Sequence, residues 1–342
     1  MNLASKVSNQ LYQRTKLELN RTATVHNSKL HDFASNNYLG LANQTSHSNK
    51  ACGAGASVMV SGYHKAQQAL EEAIADYLNM PAVMVFASGY QANLGVLQAL
   101  LDKNDFALAD QLCHASILDG LKLSGAQWRR FRHQNYEHLA QRVHSKPCQL
   151  VISEGLFSMD GDWLNLEAFA ASSPNSWHMV DDAHGFMLRP LASKHLDLYV
   201  GTFSKAVGCV GAFVAASQPC IEYLRQFANS HIYSTALPPM VIEQIHHNFQ
   251  LAQTGERQAK LQRNIDIWQK ATGTVTNSPI QTISMPNNQT LLTKHTTLLQ
   301  LGYLTGAIRR PTVKTPKLRI TLSSNQSEKA VNQLAELVME TC

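Results

Sequence analysis

The sequence predicts an α/β protein in which a mainly parallel sheet of seven strands forms a large domain, joined to a smaller α+β domain. Three observations carry this. From Val83 to Ala216, short apolar runs alternate with helix-length segments, the pattern of a doubly wound sheet. Most of the runs are continuously apolar rather than alternating, as strands covered on both faces tend to be. Polar residues cluster directly after several runs, where open α/β sheets bind their ligands.

In chain order the expected strands are 83–87, 106–109, 127–131, 149–153, 177–181, 196–201 and 209–215. Helices are expected at 90–101, 115–123 and 136–143, where apolar residues recur at helical spacing. The link before 196 is brief and carries Pro190, so it reads as a loop or a single turn. After Pro238-Pro239 the pattern changes to one or two long helices reaching Ala271, then short strands and helices ending in a helix at 327–340. The expected organisation is an N-terminal segment 1–46 packing with the small domain, a large domain 47–235 and a small domain 236–342. No internal repeat or low-complexity tract suggests a solenoid.

Composition narrows the function. A chain of 342 residues with 44% hydrophobic content can bury a sizeable core. Its net charge of +5 comes without a basic run or stripe, which argues against nucleic acid as a partner. The six cysteines form no C-x-x-C pair, so neither a zinc knuckle nor a disulfide framework is expected, and no metal site is predicted. The polar start lacks the apolar core of a signal peptide, and no stretch of about 18 apolar residues occurs. A soluble, cytoplasmic protein without a membrane partner is expected.

The candidate chemistry sits at the strand ends. Ser88-Gly89-Tyr90 opens a helix, whose free N–H groups and dipole favour a phosphate. Ser153-Glu154-Gly155, Ser158 and Asp181-Asp182-Ala183-His184-Gly185 follow two later strands. Gly201-Thr202-Phe203-Ser204-Lys205 then places an amine at the next strand end. Taken singly, these are a helix cap, a hydrogen-bonded acid–histidine pair and a solvated lysine. Taken together they suit an amine that forms a Schiff base, because a neighbouring cationic cofactor depresses its pKa.

A set of longer runs carries a resemblance. Ser35-Asn36-Asn37-Tyr38-Leu39-Gly40-Leu41, Gly53-Ala54-Gly55-Ala56-Ser57, Val60-Ser61-Gly62-Tyr63, Ala69-Leu70-Glu71 and Ala87-Ser88-Gly89-Tyr90-Gln91-Ala92-Asn93 come first. His114-Ala115-Ser116, Ser153 to Asp162, Val180 to Gly185 and Thr202 to Lys205 follow in order. Together they resemble the α-oxoamine synthases, pyridoxal 5′-phosphate (PLP) enzymes with the aspartate aminotransferase-like fold, fold type I. Val60 to Tyr63, the doubled acid Asp181-Asp182 and Ala307 to Val313 are most similar to the members that join L-alanine to a pimeloyl thioester in biotin synthesis.

The resemblance implies a role for each matching residue. Lys205 is the expected Schiff-base lysine and Asp181 the partner of the pyridine nitrogen, where a carboxylate keeps that nitrogen protonated and the ring an electron sink. His114 is expected to stack on the ring and contact substrate. His184 and Ser158 are expected at its phenolic oxygen. Ser88, Gly89, Tyr90 and Thr202 serve the phosphate region, with Thr235 reaching the phosphate of a neighbouring subunit. Arg319 resembles the arginine that holds the amino-acid carboxylate, which its planar fork suits. Asn36, Arg21 and Thr312 are further expected substrate contacts. A homodimer with shared active sites is implied, and the acyl group arrives on coenzyme A or on acyl carrier protein.

Some features depart from the family pattern. Gln67 stands where a histidine is familiar, the 53–57 stretch is poorer in glycine, Arg310 replaces a second proline, and the chain looks shortened between Gly185 and Leu196 and between Gln244 and Pro279. Two alternatives stay open: a glycine C-acetyltransferase type of synthase, and a synthase-like chain that binds without catalysing. A dinucleotide oxidoreductase fits poorly, since Gly53-Ala54-Gly55 lacks the third glycine and a preceding strand.

Overall fold

The computed structural model describes residues 2–340 other than Glu18, Arg21, Ser46, His47 and Pro311. By its contacts the chain divides into two compact units, Ser35–Gln281 with Thr321–Glu340, and Met1–Ala34 with Thr282–Ile320. The helices Pro239–Gln253, Glu256–Thr272 and Glu328–Met339, assigned from sequence to a domain at 236–342, share the contacts of the larger unit.

The larger unit is built on seven strands: β1 (Ala82–Phe86), β2 (Phe106–Asp110), β3 (Gln127–Phe131), β4 (Leu150–Glu154), β5 (Trp177–Asp181), β6 (Leu198–Thr202) and β7 (Ala212–Ala216). Their spatial order is β1-β7-β6-β5-β4-β2-β3. β7 runs antiparallel to both neighbours and the remaining pairs are parallel. The expected mainly parallel sheet is therefore present, with every predicted strand within three residues of its observed start.

Burial on both faces explains the apolar runs. On one face Ala107, Ile152, Met179, Val200 and Val214 pack with Val96 and Leu97 of helix Gly89–Leu100 and Leu121 of helix Ala115–Ser124. On the other, Leu108, Val151 and Val180 pack with Leu139 of helix Tyr136–Ser145 and Phe169 of helix Leu166–Ala171. Only β3, at the sheet edge, has a mostly polar and uncovered sequence. The short link before β6 holds one 3-10 turn, Ser193–His195. β7 starts later than its apolar run because Gly208 and Gly211, both at positive φ, turn the chain first.

The smaller unit contains the helices Leu3–Lys16 and Asn288–Gln300. His31–Asp32 pairs in parallel with Tyr303–Leu304, and Gly306–Ile308 pairs antiparallel with Lys317–Thr321. No helix among the described residues is long and apolar enough to cross a membrane. The five described cysteines are free thiols.

Candidate active site

The larger unit's polar clusters gather at the carboxyl ends of the parallel strands. Ser88 caps helix Gly89–Leu100 by accepting the Gln91 N–H at 3.2 Å, a preferred role for serine. A Cβ built on Gly89 would meet nothing nearer than the Thr202 Cβ at 4.0 Å, so space remains between this helix end and the end of β6. The Thr202 hydroxyl donates to the Gly211 carbonyl at 2.9 Å and lies 2.9 Å from the Ser204 hydroxyl. The Tyr90 hydroxyl donates to Asp119, and its ring meets that of His114 edge-on at 6.3 Å.

Asp181 closes β5, pairing in register with Glu154 at the end of β4. Its Oδ2 accepts from Asn93 Nδ2 at 2.7 Å and its Oδ1 from the Ala183 N–H at 3.0 Å. Two further carboxyls lie buried beside it. Burial, reinforced by the charge of Asp181, pushes Glu154 well above the usual carboxylate range, with Lys205 pulling the other way. Burial likewise pushes Asp182 up to about 8, against the hydrogen bond from Tyr199. Gly155 and Gly185 leave room for Asp182, since a Cβ on either would stand 2.1 or 2.2 Å from its Oδ1.

Lys205 lies just past β6, in a loop closed by bonds from Phe203 N–H to Gly211 O at 2.9 Å and from Gly208 N–H to Lys205 O at 3.0 Å. Gly208, at φ +66°, approaches the Ala42 backbone nitrogen so closely that a Cβ would stand 2.3 Å from it. The buried Asn248 amide donates to Val207 O at 2.8 Å and to Leu41 O at 3.2 Å, fastening the same loop. Asp181 pairs in register with Val200 of β6, and Lys205 follows three residues past the end of that strand, so the two stand at neighbouring strand ends.

His184 is buried, with Nδ1 2.6 Å from the Tyr38 hydroxyl, which also bonds Asn36 at 3.2 Å. Ser158 sits half-buried on the loop after β4. That loop is fastened by His133, which bonds Asp110 at 3.0 Å and Asp162 at 2.7 Å and meets the Phe157 ring at 4.4 Å. Burial pulls this imidazole down, but its bonds to Asp110 and Asp162 more than offset that and raise it to about 10.

The remaining sequence candidates have surroundings of their own. Thr235 is exposed in the larger unit and bridges Ser57. Arg319 is buried in strand Lys317–Thr321 of the smaller unit, opposite Gly306, and the Thr312 N–H bonds Arg309 O at 3.0 Å. Arg21 lies outside the described residues. A cavity of about 570 Å³ lined by Trp177, His178, Lys194 and Asp197 opens at the starts of β5 and β6, the end of the sheet remote from this chemistry.

Sequence reading alone gave no role to Asn93, Ser116, Tyr38, His133 or Asn248. The first three fall inside the runs that carried the resemblance, but each also bonds a side chain on a separate run. Asn248 sits in a helix with no motif to mark it.

A family model for aminotransferase class I and II matches residues 28–338. The chain belongs to that family. It is 37% identical over 340 residues to the 8-amino-7-oxononanoate synthase of Saccharophagus degradans, covering 90% of this chain and 86% of that protein. The crystal structure of 8-amino-7-oxononanoate synthase from Francisella tularensis aligns with a TM-score of 0.80 at 28% identity, over 92% of this chain and 98% of that one. A structure described as SPT with the PLP internal aldimine aligns with a TM-score of 0.90 at 25% identity, over 100% and 98% of the two chains. The expected fold type I architecture is thus present.

The site fits that cofactor. An open cradle at a helix N-terminus suits a phosphate, where N–H groups and the helix dipole favour negative charge. A buried carboxylate held at both oxygens and a lysine sharing its surroundings suit a protonated ring nitrogen and an aldehyde.

Proposed function

We propose that this enzyme condenses L-alanine with a pimeloyl thioester, releasing carbon dioxide and free thiol and giving 8-amino-7-oxononanoate for biotin synthesis. The observation that carries the reading is that Asp181 and Lys205 stand at the ends of neighbouring parallel strands, in a chain 37% identical to a synthase of that name.

Bound PLP would supply an electron sink for charge developing at the amino acid's α-carbon. Lys205 would hold the cofactor and then take the α-proton, its nearness replacing a bimolecular encounter. Asp181 would hold the proton at the ring nitrogen, kept in place by Asn93 and the Ala183 N–H. His114 would stack on the ring, with His184 and Ser158 at the phenolic oxygen. Ser88, Gly89, Tyr90 and Thr202 would serve the phosphate. The α-carbon forms a bond to the thioester carbonyl, the thiol leaves with a proton, the substrate carboxylate departs as carbon dioxide, and a proton takes its place on the α-carbon.

The resemblance alone assigns Arg319, Asn36, Arg21 and Thr312 to substrate, and Thr235 to the phosphate of a second subunit in a homodimer. The same reading puts the enzyme in the cytoplasm. Fold likeness to SPT does not select a substrate, because one fold hosts many.

The test is direct. PLP should turn the purified protein yellow, and borohydride should fix it on Lys205. Turnover should be fastest with alanine and a pimeloyl donor among alanine, glycine and serine tried against acetyl, pimeloyl and palmitoyl thioesters on coenzyme A and on acyl carrier protein. Faster turnover of glycine with acetyl-CoA, or of serine with a palmitoyl donor, would replace the assignment. A protein that never takes up PLP would abandon it.

A further inference from the structure

His114 and Asp181 are joined by a continuous line of hydrogen bonds through two uncharged side chains. Asn93, on helix Gly89–Leu100, is 1% exposed, and Ser116, on helix Ala115–Ser124, is fully buried at 0%. Asn93 Nδ2 donates to Asp181 Oδ2 at 2.7 Å and to Ser116 Oγ at 2.9 Å. Ser116 Oγ lies 2.8 Å from His114 Nδ1, and the Ser116 backbone N–H points at the same nitrogen from 3.2 Å.

These contacts admit one placement of hydrogens. A backbone N–H cannot reverse its direction, so His114 Nδ1 must be an acceptor. Ser116 Oγ accepts from Asn93, which leaves its own hydrogen for that nitrogen. The imidazole is therefore neutral and carries its hydrogen on Nε2. Turning the Asn93 amide over would set its oxygen against the Asp181 carboxylate, and Ser116 would lose its donor.

We propose that Asn93 and Ser116 are positioning residues that hold His114 in its Nε2–H tautomer and fix the Asp181 carboxylate in the same stroke. The proposal rests on the reading of His114 and Asp181 as PLP contacts. A neutral imidazole lies against a protonated pyridine ring without like-charge repulsion, and its Nε2–H remains the donor for a bound molecule. Both sides of the cofactor chemistry are then set by one buried amide, and the Asn93 contact to Asp181 spans 88 positions in the chain.

The tautomer can be read without any cofactor. Protein labelled with nitrogen-15 histidine and stripped of PLP is examined by NMR near pH 8, and the His114 signals are assigned by their loss in His114→Gln. Wild type should show a single Nε2–H form, and Ser116→Ala, which keeps the backbone N–H, the same form with its Nδ1 resonance shifted by loss of the hydroxyl's hydrogen bond. Asn93→Leu should bind PLP at least tenfold more weakly and shift its absorbance maximum, with circular dichroism unchanged. A mixed or Nδ1–H signal in wild type overturns the proposal, and needs no variant to fold. Unchanged PLP affinity and spectrum in Asn93→Leu overturns the Asp181 half of it. A wild type that shows the single tautomer yet takes up no PLP would instead sink the PLP reading, so the two failures are separable.

Discussion

The Tyr199 hydroxyl donates to Asp182 Oδ2 at 2.7 Å in a place where neither side chain reaches water. Asp182 follows the proposed cofactor acid Asp181 directly, yet burial pushes its carboxyl from 3.8 up to about 8 while Asp181 is held by Asn93 and the Ala183 N–H. The two neighbouring acids thus have different partners.

A folded-state pKa above the unfolded value means that the folded protein binds the extra proton. Stability from Asp182 is then present below its ordinary range and lost as pH rises through about 8. Asp182→Asn keeps an acceptor for Tyr199 and removes the titration. It should be more stable than wild type at pH 9, on the order of a few kcal/mol, and closer to it at pH 5. Urea unfolding at the two pH values checks this. A difference that does not change with pH would be the wrong outcome.

His133 is raised to about 10 by Asp110 and Asp162 despite its burial, so its contribution is complete below about 6.5 and disappears as pH rises through 10. His133→Gln should lower stability at pH 7 by about 2 kcal/mol, the usual scale for hydrogen bonds to charged groups. The gap from wild type should narrow above pH 10. Melting temperatures between pH 6 and 11 measure it.

Asn248 and Gly208 hold the loop that presents Lys205. Asn248→Ala would leave two buried carbonyls, Val207 O and Leu41 O, without this donor, a loss of about 2 to 4 kcal/mol. Gly208→Ala would combine a strained φ of +66° with a clash against the Ala42 backbone. Both variants should melt lower, and PLP uptake by the protein that remains folded should slow. Unaltered melting would show that the loop is fastened in another way.

Asp181→Asn should still fold, although its single amide oxygen can accept from only one of the two donors, Asn93 Nδ2 and the Ala183 N–H. Turnover with alanine should fall by roughly 10² or more, the scale of a lost charge partner at a developing charge. Lys205→Ala should lose turnover by at least about 10²-fold while PLP is still bound non-covalently. Borohydride labelling, absorbance and steady-state rates separate the two. Near-normal rates in either variant would contradict the assigned roles.

Much of this was legible in the chain itself. Strands covered on both faces read as apolar runs, so six of the seven were placed this way, and the ends of those runs marked Lys205, Asp181 and His184 as candidates. Even the 3-10 turn before β6 was expected from its short, proline-bearing link. The β7 start was less legible, because an apolar run does not reveal where positive-φ glycines turn the chain. The contacts of helices Pro239–Gln253 and Glu256–Thr272 were not legible either, since helical periodicity marks a buried face without naming what covers it.

By itself, the order of residues determined the sheet and the family and proposed the lysine and the acid, because each is written in local pattern or in short contiguous motifs. Only the tertiary structure decided that Asn93 meets Asp181 across 88 positions, that Tyr38 meets His184 across 146, and that Asn248 clasps the Lys205 loop. Hydrogen bonds between distant side chains depend on packing that brings them within about 3 Å, and no local periodicity encodes that distance.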